Sequence, residues 1–317
     1  MNWMTNDNAI IFDSKFNKKL DIELIGNYSI LIFSDYKLNK KIFEHYTNNN
    51  FDDLVYERSK FNQDISNLPS TLTHLTFGWY FDQDVSSLPP FLTHLIFGFD
   101  FNQDVSNLPY GLTYLTFGEC FNKDVLNLPH TLTHLTFDWD FNQDVSNLPC
   151  GLTHLAFGFC FNQDVSNLPR GLTHLFFGNC FNQDLLALPP FLTHLTIGCD
   201  FDKQNIICSN VKYLKLNCNN SYIINSLSNS IIELELDYFF NLQINNLPTS
   251  IKKLVISEHS SYDMDLNCLP DFIEELHLNY KYTKRILHIP SNLKKIICSK
   301  NYKYIDDFAL YDVETYL

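Results

Sequence analysis

The sequence predicts a β-rich solenoid, a coil of short parallel strands stacked in series, and three observations carry that expectation. A 20-residue phrase close to FNQDVSNLPxGLTHLTFGxx runs without a break from Phe61 to Asp200, in seven copies that begin at Phe61, Phe81, Phe101, Phe121, Phe141, Phe161 and Phe181. A fixed short period of this kind makes each copy one structural unit that buries its apolar side against its neighbours. Within each copy an LxxLxF core supplies a strand, and a Leu-Pro pair supplies a corner. Only about a dozen residues separate successive strands, which leaves no room for a long helix on the return.

The first clean copy shows how each element arises. In Thr71–Gly78, Leu72, Leu75 and Phe77 are apolar while Thr73, His74 and Thr76 are polar. Leu75–Phe77 has the period-2 alternation of a half-buried strand, and Thr and Phe favour strands. Gly78 ends it, and the equivalent place is Gly in every clean copy except at Asp138. The chain then crosses to Phe81, a position held by Phe in all seven copies and again at Phe201. Val85 and Leu88 point inward. Pro69, Pro89, Pro109, Pro129, Pro149, Pro169 and Pro189 follow a Leu; Pro lacks an N–H and restrains its neighbour to extended geometry, so it suits a corner. The return is expected to be extended, turn-like or short 3₁₀ structure.

Weaker copies extend the pattern. Val211, Ile231, Ile251, Ile273 and Leu293 are each followed by apolar residues three and five positions later, and one further core is expected before the block at Phe51, Leu54 and Tyr56. The expectation is therefore about thirteen coils of 20–22 residues over 51–300. The spacing slips to 19 between Leu192 and Val211 and to 22 between Ile251 and Ile273, in segments read as turns, where insertions are tolerated. Residues 1–50 carry strand-like runs at Ala9–Phe12 and Tyr28–Phe33 and one helical pattern at Leu38, Ile42 and Tyr46, and read as an N-terminal cap. Residues 301–317 read as the opposite cap.

Composition narrows the function classes. The net charge is −14, and between 61 and 200 thirteen Asp and Glu face only Lys123 and Arg170. Nucleic-acid binding by that block is excluded as an expectation, because phosphates call for clustered Lys and Arg. No apolar run is long enough to span a membrane, and Met1–Lys19 has neither the basic start nor the apolar length of a signal peptide. Nine cysteines, an odd number with no CxxC pair, fit reduced thiols. The expected location is cytoplasmic, the host cytoplasm if the chain is viral. No phosphate-binding glycine loop, HExxH or GxSxG is present. His, Asp and Cys recur in coil after coil, whereas catalytic groups are singular, so no enzyme activity and no cofactor are expected.

The phrase FNQDVSNLPxGLTHLTFG resembles the FNIP repeat, a leucine-rich-repeat-like unit frequent in social amoebae and in giant viruses of amoebae. The resemblance is close over 61–200 and loose over 201–300. It departs at one place: the Pro of the name-giving Phe-Asn-x-Pro signature is replaced by Asp64, Asp104 or Asp144. The Asn-, Ile-, Lys- and Tyr-rich composition is similar to that of an AT-rich, mimivirus-like giant virus. The resemblance implies a leucine-rich-repeat-like right-handed coil with one parallel strand per turn, and protein binding, and it brings no catalytic residues. Some relatives join these repeats to an F-box, but a single short helix in residues 1–50 is too little for one.

An in-register solenoid turns each repeat position into a row. His74, His94, Tyr114, His134, His154, His174 and His194 fall on the strand between two buried leucines, the position that faces the open side in leucine-rich repeats. This row supports a partner surface, a pH-sensitive surface or a metal site, against the plainer reading of a stacking ladder. A metal would need further ligands converging on a His pair, and the neighbours are Thr. Histidinium ions ~5 Å apart repel by roughly 0.8 kcal/mol even in water, so the run from His134 to His194 is expected to titrate below a free His. The Thr rows beside it read mainly as exposed strand positions. Trp79, Phe99, Trp139, Phe159 and Phe176 are the singular aromatic residues and complete the candidate contact face. The row from Asn62 to Asn182 reads as a corner ladder, and the Asp row from Asp64 to Asp184 lacks the glycine-rich phrase of calcium-binding coils.

These observations predict a non-enzymatic protein–protein interaction module that presents a Thr/His/aromatic face to a protein partner with a basic patch. A structural rod, such as a component of a virus particle, is the competing class. A substrate adaptor for host ubiquitin machinery without a recognisable F-box is a lesser one.

Overall fold

Three residues per coil make the strand, because only they combine outward polar and inward apolar side chains. The computed structural model describes residues 3–39, 41–48, 54–186, 188–204 and 209–316, which fall into two compact units, Met1–Phe161 and Asn162–Leu317. In the first unit, β1 (Trp3–Thr5) pairs antiparallel with β2 (Ala9–Phe12). From β2 onward the pairing is parallel: β3 (Ile30–Phe33), β4 (His74–Thr76), β5 (His94–Ile96), β6 (Tyr114–Thr116), β7 (His134–Thr136) and β8 (His154–Ala156). Two helices interrupt it, α1 (Ile22–Ile25) and α2 (Ile42–Asn48). The second unit runs β9 (His174–Phe176), β10 (His194–Ile197), β11 (Tyr213–Leu216), β12 (Glu233–Leu236), β13 (Lys253–Ile256), β14 (Glu275–His277), β15 (Lys295–Ser299) and β16 (Asp312–Tyr316), each parallel to the next. It also holds α3 (Ser221–Asn225) and a 3₁₀ turn at Ile305–Phe308.

The protein is a parallel-strand β-solenoid with little helix. Fifteen parallel strands occur among the described residues, where the spacing predicts about thirteen coils. The difference lies at the ends. At the C-terminus β16 adds a strand beyond Cys298. At the N-terminus the coil before the clean block is made by Ile30–Phe33, not by the stretch from Phe51 to Tyr56. Leu54 and Tyr56 lie outside any strand, Tyr56 forms only an isolated antiparallel bridge with Tyr36, and Phe51 is outside the described residues.

The phenylalanine core explains that choice. In the clean coils the Phe that ends the strand stacks on the Phe four residues later, with ring centroids 3.6 Å apart for Phe77–Phe81 and 3.7 Å for Phe97–Phe101. Phe12 and Phe16 make the same pair at 4.2 Å. Phe33 makes it with Phe61, at 3.7 Å, and stacks on Phe77 of the next coil at 5.8 Å. Residues 34–60 therefore form an insertion of 27 residues at the place where a clean copy has three. Ile30–Phe33 outcompetes the later stretch because it offers four consecutive apolar side chains, three of them branched or aromatic at strand-favouring positions.

Between coils, Thr93 and His94 N–H both donate to Thr73 O at 2.8 and 3.1 Å, and the clean coils repeat this bond pair. On the return side, Asn62 Oδ1 accepts the Asp82 N–H and the Gln83 amide, and Asp82 Oδ1 accepts the Asn102 N–H and the Gln103 amide. The Asn row is thus a ladder of corner bonds. The turn after the strand passes so close to its neighbour that a Cβ at Gly118 would lie 1.9 Å from Gly98 O. The side chains at Leu72, Leu75, Phe77, Phe81 and Val85 and their repeats are buried.

Phe117 is fully buried between Phe97 and Phe137, at 5.7 and 5.5 Å, and against Phe121 at 3.8 Å. Phe117→Ala is expected to destabilise the first unit by about 3–5 kcal/mol. The readout is a lowered urea midpoint with loss of amide protection in β5, β6 and β7. Exposed Tyr110, changed to Ala, should alter stability by less than about 0.5 kcal/mol.

Candidate functional site

The strand face of the first unit is built from the two outward residues of each HLT strand. Their side chains are half-buried while the intervening Leu is buried. Parallel register places each ring on the next. His74 stacks on His94 at 4.2 Å, His134 on His154 at 4.1 Å, and Tyr114 stands between these pairs at 5.6 Å from each. In the second unit His174 stacks on His194 at 3.9 Å, and His194 on Tyr213 at 4.1 Å.

The preceding threonine holds the histidine ring in place. Thr93 Oγ1 lies 3.1 Å from Thr73 O and 2.9 Å from His94 Nδ1, so one hydroxyl bridges the carbonyl of the preceding coil and the imidazole. Thr73 with His74, Thr133 with His134, Thr153 with His154 and Thr193 with His194 repeat the geometry. Loss of hydration holds His74 below the usual imidazole range, with repulsion from His94 second, and does the same to His94, with His134 second. Burial is the larger cause, where the spacing alone pointed to repulsion between rings.

The aromatic candidates form a second row rather than part of the first. Trp79, Phe99, Trp139 and Phe159 lie in the turn after the strand. They stack in pairs, Trp79 on Phe99 at 4.1 Å and Trp139 on Phe159 at 4.4 Å. Arg58, from the 34–60 insertion, places its guanidinium 4.0 Å from the Trp79 centroid. Phe176 is the exception: it sits on β9 itself and is 43% exposed.

The insertion also makes a site that the sequence did not reveal. Neither β2 nor β3 alternates, and Ile11 and Ile32, on the side where clean coils carry Thr, are buried against Ile42 of α2. Met4, Tyr36, Leu38, Phe43 and Tyr46 surround this cluster. Where the helix ends, the His row begins, and between them lies a cavity of about 900 Å³. Its lining includes Ile30, Tyr36, Phe43, His45, Tyr46, His74, Thr76, His94, Ile96 and Tyr114, with Asn6, Asp7 and Asn8 at one rim and, among the described residues, no Lys or Arg. The signal for it was legible in the apolar, non-alternating runs AIIF and ILIF, which announce strands covered on both sides.

In the second unit the strand face changes character. The His position becomes Glu233, Lys253, Glu275, Lys295 and Asp312, opposite charges in successive register. Lys253 lies 3.4 Å from Glu233 and 3.9 Å from Glu275, Lys295 lies 2.8 Å from Glu314, and Lys215 bridges Glu235 and Asp237 at 2.8 and 3.0 Å. On the return side of the clean coils the Asp row is also occupied: Asp84, Asp104 and Asp164 each accept the N–H and the hydroxyl of the Ser two residues on, which holds their carboxyls below the usual range. Among the described residues no group of three or more His, Cys, Asp or Glu is placed to hold a metal ion, and no helix is long and apolar enough to cross a membrane.

The fold and the rows define a leucine-rich-repeat-like solenoid. Residues 61–200 match the FNIP repeat, in overlapping segments 61–100, 84–120, 121–160, 141–180 and 161–200, so the chain carries FNIP repeats over that stretch. Among solved structures it is similar to CroV588, a circular leucine-rich-repeat protein of the giant virus CroV, with 27% identity and a TM-score of 0.69. The match covers 95% of this chain and 48% of that one, so the chain spans about half the length of CroV588. The functional domain of InlJ from Listeria monocytogenes shares the fold, with 16% identity, a TM-score of 0.53, and 91% and 67% of the two chains covered. No curated protein matches the chain in sequence.

Two outcomes follow for the histidines. Nitrogen NMR at neutral pH should show the His94 Nδ1 signal move in Thr93→Val, which removes the hydroxyl 2.9 Å from it, while His74 is much less affected. Because their folded pKa lies below the unfolded value, the unfolded chain takes up protons first. The first unit should therefore hold its full stability above about pH 6.5 and lose it progressively as the pH falls below that. Thermal melts between neutral and mildly acid pH measure the loss. A stability that rises on acidification would refute the assignment.

Proposed function

We propose that the chain is a non-enzymatic protein-interaction module whose contact surface is the strand side of the clean coils together with the adjoining aromatic row. The observation that carries this reading is the contrast between its surfaces. The charged strand positions of the second unit are paired with each other. The first unit instead offers half-buried rings and a cavity of about 900 Å³, and its carboxylates at Glu119, Asp138 and Asp140 make no ion pair among the described residues. A surface of rings with a polar rim is what protein interfaces use, and unpaired acids favour a partner with a basic patch. The similarity to leucine-rich-repeat proteins supports the same reading.

A purely structural rod is the second reading, and the Phe stacks and corner bonds from coil to coil favour it. The two differ in their tolerance of change at singular residues. Affinity capture from an amoebal extract would compare the wild-type chain with a folded variant carrying Trp79→Ser, Trp139→Ser and Phe176→Thr. The expected result is a protein retained by the wild type and lost by the variant. Equal retention by both would remove the aromatic row and Phe176 as the contact surface.

A further inference from the structure

The repeat supplies an internal comparison. Trp79 and Trp139 occupy the same place in coils three apart, and each lays one face on a Phe in the following coil. At Trp79 a guanidinium is already present. Arg58 covers the ring at 4.0 Å, and its positive charge is supported by hydrogen bonds to the Tyr80 and Tyr56 phenols. The insertion that delivers Arg58 occurs once, before the clean block, and among the described residues no cation lies over Trp139. Trp139 is 46% exposed. The preceding position of its row holds Glu119 instead of an aromatic residue, and Glu119 O accepts the Asp140 N–H at 2.8 Å.

We propose that the exposed indole of Trp139, framed by Glu119, Asp138 and Asp140, is the seat for an arginine side chain of a protein partner. The inference rests on the reading of the chain as a protein-interaction module and names the chemistry of one contact. A guanidinium stacks on an indole and is weakly hydrated, so desolvating it is cheaper than desolvating an ammonium. Its planar fork can bond a carboxylate in the same plane while its face lies on the ring. Among the described residues the three carboxyls make no ion pair, and Glu119 is held above the usual carboxylate range by lost hydration and then by Asp138 and Asp140. A cation placed there relieves that repulsion. Asp138 is also the one residue of the clean block that replaces the turn glycine, and it sits directly before the tryptophan.

The test uses the full chain and three short blocked peptides, Gly-Arg-Arg-Gly and its lysine and citrulline counterparts, followed through the indole N–H signal of Trp139, which Trp139→Phe identifies. The arginine peptide should shift that signal saturably, and raised salt should weaken it. The citrulline peptide, with the same shape and no charge, should bind at least about tenfold more weakly, and the lysine peptide should fall between. Asp138→Asn with Asp140→Asn, both exposed and so expected to leave the fold intact, should weaken the arginine peptide by about tenfold. Arg58→Ala should uncover the other platform, so that the same peptide now also shifts the Trp79 signal. An unmoved Trp139 signal, or citrulline binding equal to arginine, would overturn the seat. Either result is separate from the capture experiment: loss of a captured protein without a peptide response removes the seat alone, and a peptide response without such loss removes the wider contact surface alone.

Discussion

Everything in this protein depends on register between coils. Successive strands pair residue for residue, His74 with His94 and Leu75 with Leu95, and a slip of one residue would turn every buried Leu outward. Three devices hold the register independently of the strand bonds. The Phe pairs stack within and between coils, the Asn side chains tie each corner to the next, and the glycine turns approach so closely that no side chain fits without a shift. None of them alone needs to be strong, since each acts at every turn. Once register is fixed, any substitution in the repeat becomes a defined point on a row. That is why a nearly perfect repeat can carry specific information: the regular part sets the positions, and the departures from it, such as Trp79, Asp138, Trp139 and Phe176, are what a partner can distinguish.

The charge distribution divides the chain in the same sense. Over the weaker copies, acidic and basic residues alternate across neighbouring strands and neutralise one another locally. Exposed pairs of this kind add little stability individually, but they leave little unsatisfied charge for an outside partner. In the clean block the acids have no such partners in their row. The Asp residues of the return side are taken up by Ser hydroxyls and N–H groups, whereas Glu119, Asp138 and Asp140 are not. The negative charge that matters for recognition is therefore smaller than the sequence total and more localised.

Most of the architecture was legible because the repeat states it many times. The strand core, the glycine turn, the Leu-Pro corner and the Phe row could each be read from seven nearly identical copies, and the Asn ladder followed from turn chemistry. What escaped was stated only once. The coil at Ile30–Phe33 was hidden because its Phe33 and Phe61 are separated by an insertion that no other copy has, although the Phe12 to Phe16 spacing repeats that of Phe77 to Phe81 and could have marked the first coil. The helix pattern at Leu38, Ile42 and Tyr46 was visible, but not that it covers the outer side of β2 and β3 and so walls a cavity at the start of the His row. Trp79 and Trp139 look equivalent in sequence; only the fold shows that one is covered by Arg58.

The histidine row illustrates how an apparently plain ladder depends on the solenoid itself. The threonine hydroxyl lies within hydrogen-bond distance of both the carbonyl of the preceding coil and the Nδ1 of the histidine that follows it, and it does so only because the coils are in register. The ring orientation is thus set by a bond between coils as well as by stacking on the neighbouring ring. Protonation leaves an N–H on both ring nitrogens and adds positive charge at the strands while leaving the aromatic row unchanged. The two rows thus respond differently to pH, although both are consequences of one 20-residue period.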